Sequence, residues 1–377
     1  MSDRVRIGLA GCGSVAQRGL IPHLAQPDIA DQIEFRAVMD VVPGRAQATA
    51  AKYGVPLWFE DYDAMLAQGD LDMVVLASPI GLHYEQGMKA IQAGKHVHFN
   101  KTMTTRKAEA DEIIAAAKAK GVKLVASPGE MQCRLFQDAR DLLMEKHIIG
   151  RIYYAVFGGG MLHEYEAFRM PNDVISNVNP LWYYQKPGGG PMYDGVVYNL
   201  HLVTGILGPA KRVTGFSGIG LKERRFKGEV VQATMDDNTH LVLDFGDSVY
   251  ANLYGAFTYN VRREYTMQFA GSEGSLNIGE TGITVLGGRE PGLFGLAGSK
   301  LETGPRRAHD EMPYLDGVHL TLPEHHVYSD IMHLVDCIRN SKQPVVTAEH
   351  ARHVIEIIEA GYRSSETGRA IDLTTTF

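Results

Sequence analysis

Over the first third of the chain, short apolar runs alternate with stretches of helical periodicity. Residues 5–9, 33–39, 57–59, 73–77, 96–99 and 123–126 read as strands. The run at 73–77 is uninterrupted, as expected of a strand buried on both faces. Helices are predicted to about residue 25 and over 44–53, 62–68, 81–93 and 105–119, with Gly94 and Gly121 as natural caps for the last two. Strands alternating with helices at this spacing predict βαβ units and an α/β, doubly wound parallel sheet.

After residue 128 the rhythm changes. A helix is predicted at 131–146 and a strand at 151–158, followed by an irregular region and a helix at 194–207. Strand-like runs then follow one another at 211–219, 229–235, 239–245, 248–256, 264–271 and 283–286. Without intervening helices they predict a large, mostly antiparallel open sheet in an α+β second domain. Residues 287–307, rich in Gly, Pro and Arg, read as a long loop, and helices near 326–340 and 348–363 close the chain. The division is drawn at 1–128 and 129–377, with the last helices free to pack back on the first domain.

Composition narrows the function. The 377 residues are 45% hydrophobic and 21% charged, with net charge −7. That fits a folded globular protein and, without a basic run, argues against a nucleic-acid partner. No apolar stretch is long enough for a membrane helix. Cys12, Cys133 and Cys337 stand far apart, which excludes a disulfide scaffold and a zinc ribbon. Without a basic leader at the N-terminus, the expected compartment is the cytoplasm.

The first chemical signal is Gly11-x-Gly13-x-x-Ala16, placed between a strand and a helix. Gly11 permits the tight turn, Gly13 lets the backbone approach a pyrophosphate, and Ala16 allows close helix–strand packing, as in a Rossmann βαβ unit. Ser14 and Val15 open the helix whose positive end faces the phosphates. Asp40 ends the second strand, where a carboxylate binds a ribose diol and repels a 2′-phosphate. NAD is therefore the expected cofactor, although Arg45 follows closely.

Further along, Ala77-Ser78-Pro79, His83 and the run from Ala93 to Lys101 (AGKHVHFNK) resemble the Gfo/Idh/MocA family of sugar and polyol oxidoreductases. Gly188-Gly189-Gly190-Pro191-Met192-Tyr193-Asp194 resembles the start of that family's active-site helix, and His325-His326, Ala348, Ala351 and Gly368 its ending. The likeness covers the whole chain in order. It implies Ser78, Pro79, His83, Asn100 and Lys101 at the cofactor, and Lys101 and Asp194 in catalysis. It also implies a homo-oligomer, dimer or tetramer, joined through the second domain. Two departures stand out: Asn100-Lys101-Thr102 replaces the usual E-K-P, and Tyr198 stands where relatives have a histidine four residues after the aspartate.

Helical geometry brings Asp194, Tyr198 and His201 within a sector of about 60°, opposite a stripe of Val196, Leu200, Val203 and Leu207. Tyr198 is expected to take or relay the substrate proton, His201 to bind an adjacent hydroxyl, and Asp194 to orient substrate. Lys101 can stabilise a developing alkoxide and lower the phenol's pKa, whereas burial would raise it. Met161, His163, Trp182, Tyr183 and Tyr184 are candidate pocket walls for a sugar. No histidine spacing matches a metal site, so no metal is expected. The expected activity is NAD-dependent oxidation of a secondary hydroxyl of a sugar, glycoside or cyclitol to a ketone. The alternatives are redox-neutral glycoside cleavage with a recycled NAD, and a non-catalytic dinucleotide sensor.

Overall fold

The computed structural model describes residues 4–160, 174–175, 180–226, 228–260, 267–279, 282–287, 300–302 and 308–377. The predicted six strands form one parallel sheet: β1 (Val5–Ala10), β2 (Ile33–Met39), β3 (Leu57–Phe59), β4 (Met73–Leu76), β5 (His96–Phe99) and β6 (Leu124–Ala126). Their order, β3-β2-β1-β4-β5-β6, is the doubly wound one, with the reversal between β1 and β4. Every residue of β4 is buried, in keeping with its unbroken apolar run. The connecting helices are α1 (Ile21–Leu24), α2 (Arg45–Tyr53), α3 (Tyr62–Gln68), α4 (His83–Gln92) and α5 (Lys107–Lys120). A π-helical stretch, Ala16–Leu20, runs directly into α1.

The second sheet has nine strands among the described residues, in the order β16-β15-β14-β13-β7-β12-β11-β8-β17. These are β7 (Ile152–Gly160), β8 (Arg212–Gly218), β11 (Asn238–Gly246), β12 (Val249–Ala256), β13 (Met267–Gly271), β14 (Gly274–Gly279), β15 (Gly282–Gly287), β16 (Lys300–Glu302) and β17 (Ile371–Asp372). All neighbours are antiparallel except β7 and β12. The predicted strand at 229–235 is not part of this sheet. It is shortened to β10 (Glu229–Gln232), which pairs only with β9 (Glu223–Phe226) in a separate hairpin. Along β11 burial alternates residue by residue, so one face meets the core and the other faces out.

The inner face is covered by α6 (Arg134–Arg140) and α7 (Val197–Leu207), whose apolar side chains join one core with those of the sheet. Two helices tie the halves together. The first, α8 (His325–Arg339), lies against β6, β5 and β1; the second, α9 (Ala348–Thr367), packs on β8 and α5. No helix among the described residues is long and apolar enough to cross a membrane.

Candidate active site

At the first βα turn, Gly11 has φ +95°, and a Cβ there would stand 2.7 Å from the backbone nitrogen of Ser78. Only glycine fits. Around Gly13 the situation is the reverse: a Cβ would meet nothing within 4 Å, which leaves the backbone open to a ligand. The first helical hydrogen bond runs from the Gln17 N–H to the Gly13 carbonyl at 2.9 Å, so the N–H groups of Ser14, Val15 and Ala16 precede the ladder. An open glycine beside such N–H groups fits a dinucleotide pyrophosphate.

Asp40 is buried and already engaged. Its Oδ2 accepts from the Cys12 N–H at 2.9 Å, and its Oδ1 accepts from the Val42 N–H at 2.9 Å and from Arg45 at 3.3 Å. Each carboxylate oxygen accepts two hydrogen bonds, so Oδ2 keeps capacity for a ribose hydroxyl. Arg45 also donates to the Val174 carbonyl at 3.0 Å, which closes this corner with a residue of the second half. Cys12 is buried, and burial together with Asp40 pushes its thiol up to about 12, far from a reactive thiolate.

His83, expected at the cofactor, is held by the backbone on both sides. Both ring nitrogens lie on backbone carbonyls, Thr102 at 2.7 Å and Ser78 at 2.9 Å, and the ring is fully buried. It ties the loop after β4 to the loop after β5 and presents no free edge. Beside it the Asn100 carboxamide oxygen accepts from the Lys101 N–H at 2.8 Å, and the Lys101–Thr102 peptide is cis. Ser78 Oγ donates to Gln86, and Pro79 leads into a short 3-10 turn.

The triple glycine delivers Asp194 to this edge. Gly188 and Gly190 both have φ +86°, and a Cβ on Gly189 would lie 2.6 Å from the carbonyl oxygens of Tyr183 and Gln185. The turn rests on Ile80 and Thr105 of the first half, and the Tyr193 hydroxyl donates to the Thr105 carbonyl at 2.8 Å. Lys101 Nζ then donates to the Asp194 carbonyl at 2.6 Å and to its carboxylate at 2.5 Å. The same ammonium stands 5.5 Å from the centre of the Tyr198 ring.

The helix here is not the uniform amphipathic one the spacing predicts. Met192–Val196 is a π turn, and α7 follows with most residues buried on every side. Wide turns of this kind recur at functional sites. His201 is accordingly not beside Tyr198's partners. It is 3% exposed, 4.6 Å from the ring of His350 on α9, and lines a cavity of about 690 Å³ together with Glu130, Gln137, His333 and His350. Burial and the neighbouring His350 and His353 hold its pKa well below the usual imidazole value, so the ring is neutral. His201, expected at a substrate hydroxyl, meets α9 and the Glu130–Gln132 turn instead, away from Lys101 and Asp194.

Instead the phenol meets an imidazole absent from the expected set. Tyr198 Oη lies 3.1 Å from Nε2 of His326, at the start of α8. Burial, then the carboxylates of Glu324, Glu130 and Asp194, hold the phenol's pKa well above its usual value. Of the two opposing effects on the phenol, burial outweighs the lowering that Lys101 could bring, and that ammonium is paired with Asp194 at contact distance. Trp182 and Tyr183 stack with centroids 3.9 Å apart on the turn Leu181–Tyr184; Trp182 packs on the second core, while Tyr183 contributes to the field at Tyr198. Met161 and His163 lie outside the described residues.

Comparison with known proteins identifies the family. The dTDP-3,4-didehydro-2,6-dideoxy-alpha-D-glucose 3-reductase of Streptomyces violaceoruber is 28% identical over 276 residues, 73% of this chain and 72% of that protein. The scyllo-inositol 2-dehydrogenase (NADP(+)) of Bacillus subtilis (strain 168) is 26% identical over 98% of this chain and 96% of its own. A levoglucosan dehydrogenase solved with NADH and levoglucosan shares the fold, with TM-score 0.78 at 17% identity over 99% of this chain and 100% of that one. Residues 5–127 match the NAD-binding Rossmann fold of the Gfo/Idh/MocA oxidoreductases and residues 144–373 their C-terminal alpha/beta domain. The chain thus belongs to the Gfo/Idh/MocA family and is an NAD-binding oxidoreductase.

Proposed function

We propose that this dehydrogenase oxidises a secondary hydroxyl of a sugar, glycoside or cyclitol to a ketone, with NAD preferred over NADP. The carrying observation is the Lys101–Asp194 pair beneath the Tyr198 ring, at the carboxyl edge of the parallel sheet where ligands of such folds bind. In this reading residues 1–128 hold the dinucleotide and 129–377 present the substrate. Gly11, Gly13, Ser14 and Val15 cradle the pyrophosphate, Asp40 the adenosine ribose, and Ser78, Pro79 and Asn100 frame the nicotinamide end. The bound NAD supplies the acceptor for a hydride.

Everything else falls to the protein. Lys101 steadies negative charge growing on the carbinol oxygen, in a setting where such a charge is worth more than in water. Asp194 holds that ammonium in place and leaves its own second oxygen for a neighbouring hydroxyl. Tyr198 relays the hydroxyl proton, giving up its own as it takes the substrate's. Relatives named for sugar and inositol substrates support the substrate class. The outer face of the nine-stranded sheet exposes Phe216, Tyr250, Tyr154 and Val242, which supports association of copies through that face. Three buried cysteines outside any disulfide suit a reducing cytoplasm. The test is NAD reduction across a panel of sugars, glycosides and inositols, repeated with NADP. Turnover of at least one member with NAD is expected; reaction with none, or NADP used equally well, would overturn the reading.

A further inference from the structure

His326 and Tyr198 are 128 positions apart, yet their rings meet edge to face at 5.3 Å with Nε2 and Oη at 3.1 Å. On the same edge of the imidazole, Glu324 Oε2 stands 3.9 Å from that Nε2. The other carboxylate oxygen of Glu324 accepts from Arg18 Nε at 2.6 Å, and Arg18 reaches solvent with 59% of its side chain exposed. Space for Glu324 is made by Gly19, where a Cβ would lie 2.3 Å from the glutamate Cγ. Lys101, Asp194, Tyr198, His326, Glu324 and Arg18 thus form one line from the reacting edge to water.

We propose that His326 is the proton acceptor behind Tyr198, a positioning residue that acts through the phenol. The inference rests on the dehydrogenase reading above. As the substrate C–H leaves with its electron pair to the nicotinamide, the hydroxyl proton passes to Tyr198 Oη and the phenol's own proton passes to His326 Nε2. The products are a ketone, a reduced dinucleotide and one imidazolium, whose proton departs past Glu324 and Arg18. In the reverse direction the imidazolium returns it.

The charges around the pair favour this order. Tyr198 is faced by Lys101 from the loop after β5, Asp194 from the π turn, Glu130 from the turn after β6, Tyr183 and Glu324. His326 is faced by Glu324, with Arg18 beyond it, and follows His325, which pairs with Asp310 at 3.4 Å. A free phenolate would add a negative charge among three carboxylates. Passing the proton on adds a positive charge beside Glu324 instead, and the phenol stays neutral throughout.

The test begins without substrate. In enzyme carrying 15N-labelled histidine and saturated with NAD, assigned through His326→Gln, Nε2 of His326 is expected as the unprotonated acceptor at pH 7.5, shifted by Tyr198→Phe. A protonated Nε2, or no response to Tyr198→Phe, overturns the proposal. In turnover, His326→Gln is expected to lower kcat by ~10–100-fold, remove the acid limb of its pH profile and leave KM within about threefold. Glu324→Gln should move that limb to lower pH, which provides a second variant should His326→Gln fail to fold. If Tyr198→Phe is inactive while His326→Gln keeps both kcat and the limb, the relay falls and the dehydrogenase reading stands. If Tyr198→Phe also keeps full turnover, both fall.

Discussion

Two successive turns of one helical segment, residues 192–207, meet different neighbours. The turn with Asp194 and Tyr198 faces the carboxyl edge of the parallel sheet and finds Lys101 there, with His326 behind. The turn with His201 and Thr204 faces α9, where Thr204 Oγ1 lies 2.7 Å from His350 Nε2 and the imidazoles are buried and neutral. Both turns carry polar groups at helical spacing. What distinguishes the two turns is the element packed against each, which lies far away in sequence.

The sharpest way to break this comparison is at its active half. Tyr198→Phe removes the hydroxyl and keeps the ring, so kcat is expected to fall by ~10²-fold while the protein folds normally; steady-state kinetics with a circular-dichroism melt checks both. Asp40→Ala tests the cofactor corner. Wild type is expected to bind NAD at least tenfold tighter than NADP, about 1.4 kcal/mol, and the variant to narrow that gap in titration calorimetry. A corner already holding Arg45 is the reason for expecting the gap to shrink upon loss of the carboxylate.

On the scaffolding half, His201→Asn should leave kcat within about threefold and cost about 1–2 kcal/mol of stability in chemical denaturation, as for other buried polar changes. A loss as large as that of Tyr198→Phe would erase the distinction between the two turns. Next to the same cavity, Asp330 accepts from Ser127 and from the Gly129 N–H, yet burial raises its carboxyl from 3.8 to about 7. The folded chain then holds a proton that the unfolded chain has released, so this group's contribution to stability is lost as pH rises from about 4 to about 7. Asp330→Asn should flatten that part of the profile, by at most about 1.4 kcal/mol per pH unit.

The same contrast explains what was legible in the sequence. All six strands of the parallel sheet stand where apolar runs place them; β4 and β6 are buried throughout and leave a continuous signal, while the edge strand β3 has Trp58 exposed. The nine-stranded sheet was read less fully. β14 has glycine at both ends and β17 has two residues, so neither carries a periodicity to detect. β9 carries no strand signal because three of its four residues are charged and it pairs only in a local hairpin. Of the segment 287–307, read as a loop, the described part includes β16, which pairs with β15.

At the site, Lys101, Asp194 and Tyr198 were reached through local motifs, and the structure brings them together. The π turn at Met192–Val196 has no signature in residue types, and without it the segment reads as one amphipathic helix. His326 was visible only as half of a histidine pair at the start of a structural helix. Its meaning depends on α8 crossing back over β1, a contact that no local pattern encodes.

The most direct test of the account is a single variant measured twice. Lys101→Ala should bind NAD with a dissociation constant within about threefold of wild type by calorimetry, because the pyrophosphate cradle and Asp40 are untouched. In the same preparation its NAD-linked kcat on a polyol should fall by at least ~10²-fold, since the ammonium proposed to stabilise the reacting oxygen is gone. Near-normal turnover of Lys101→Ala would contradict the account.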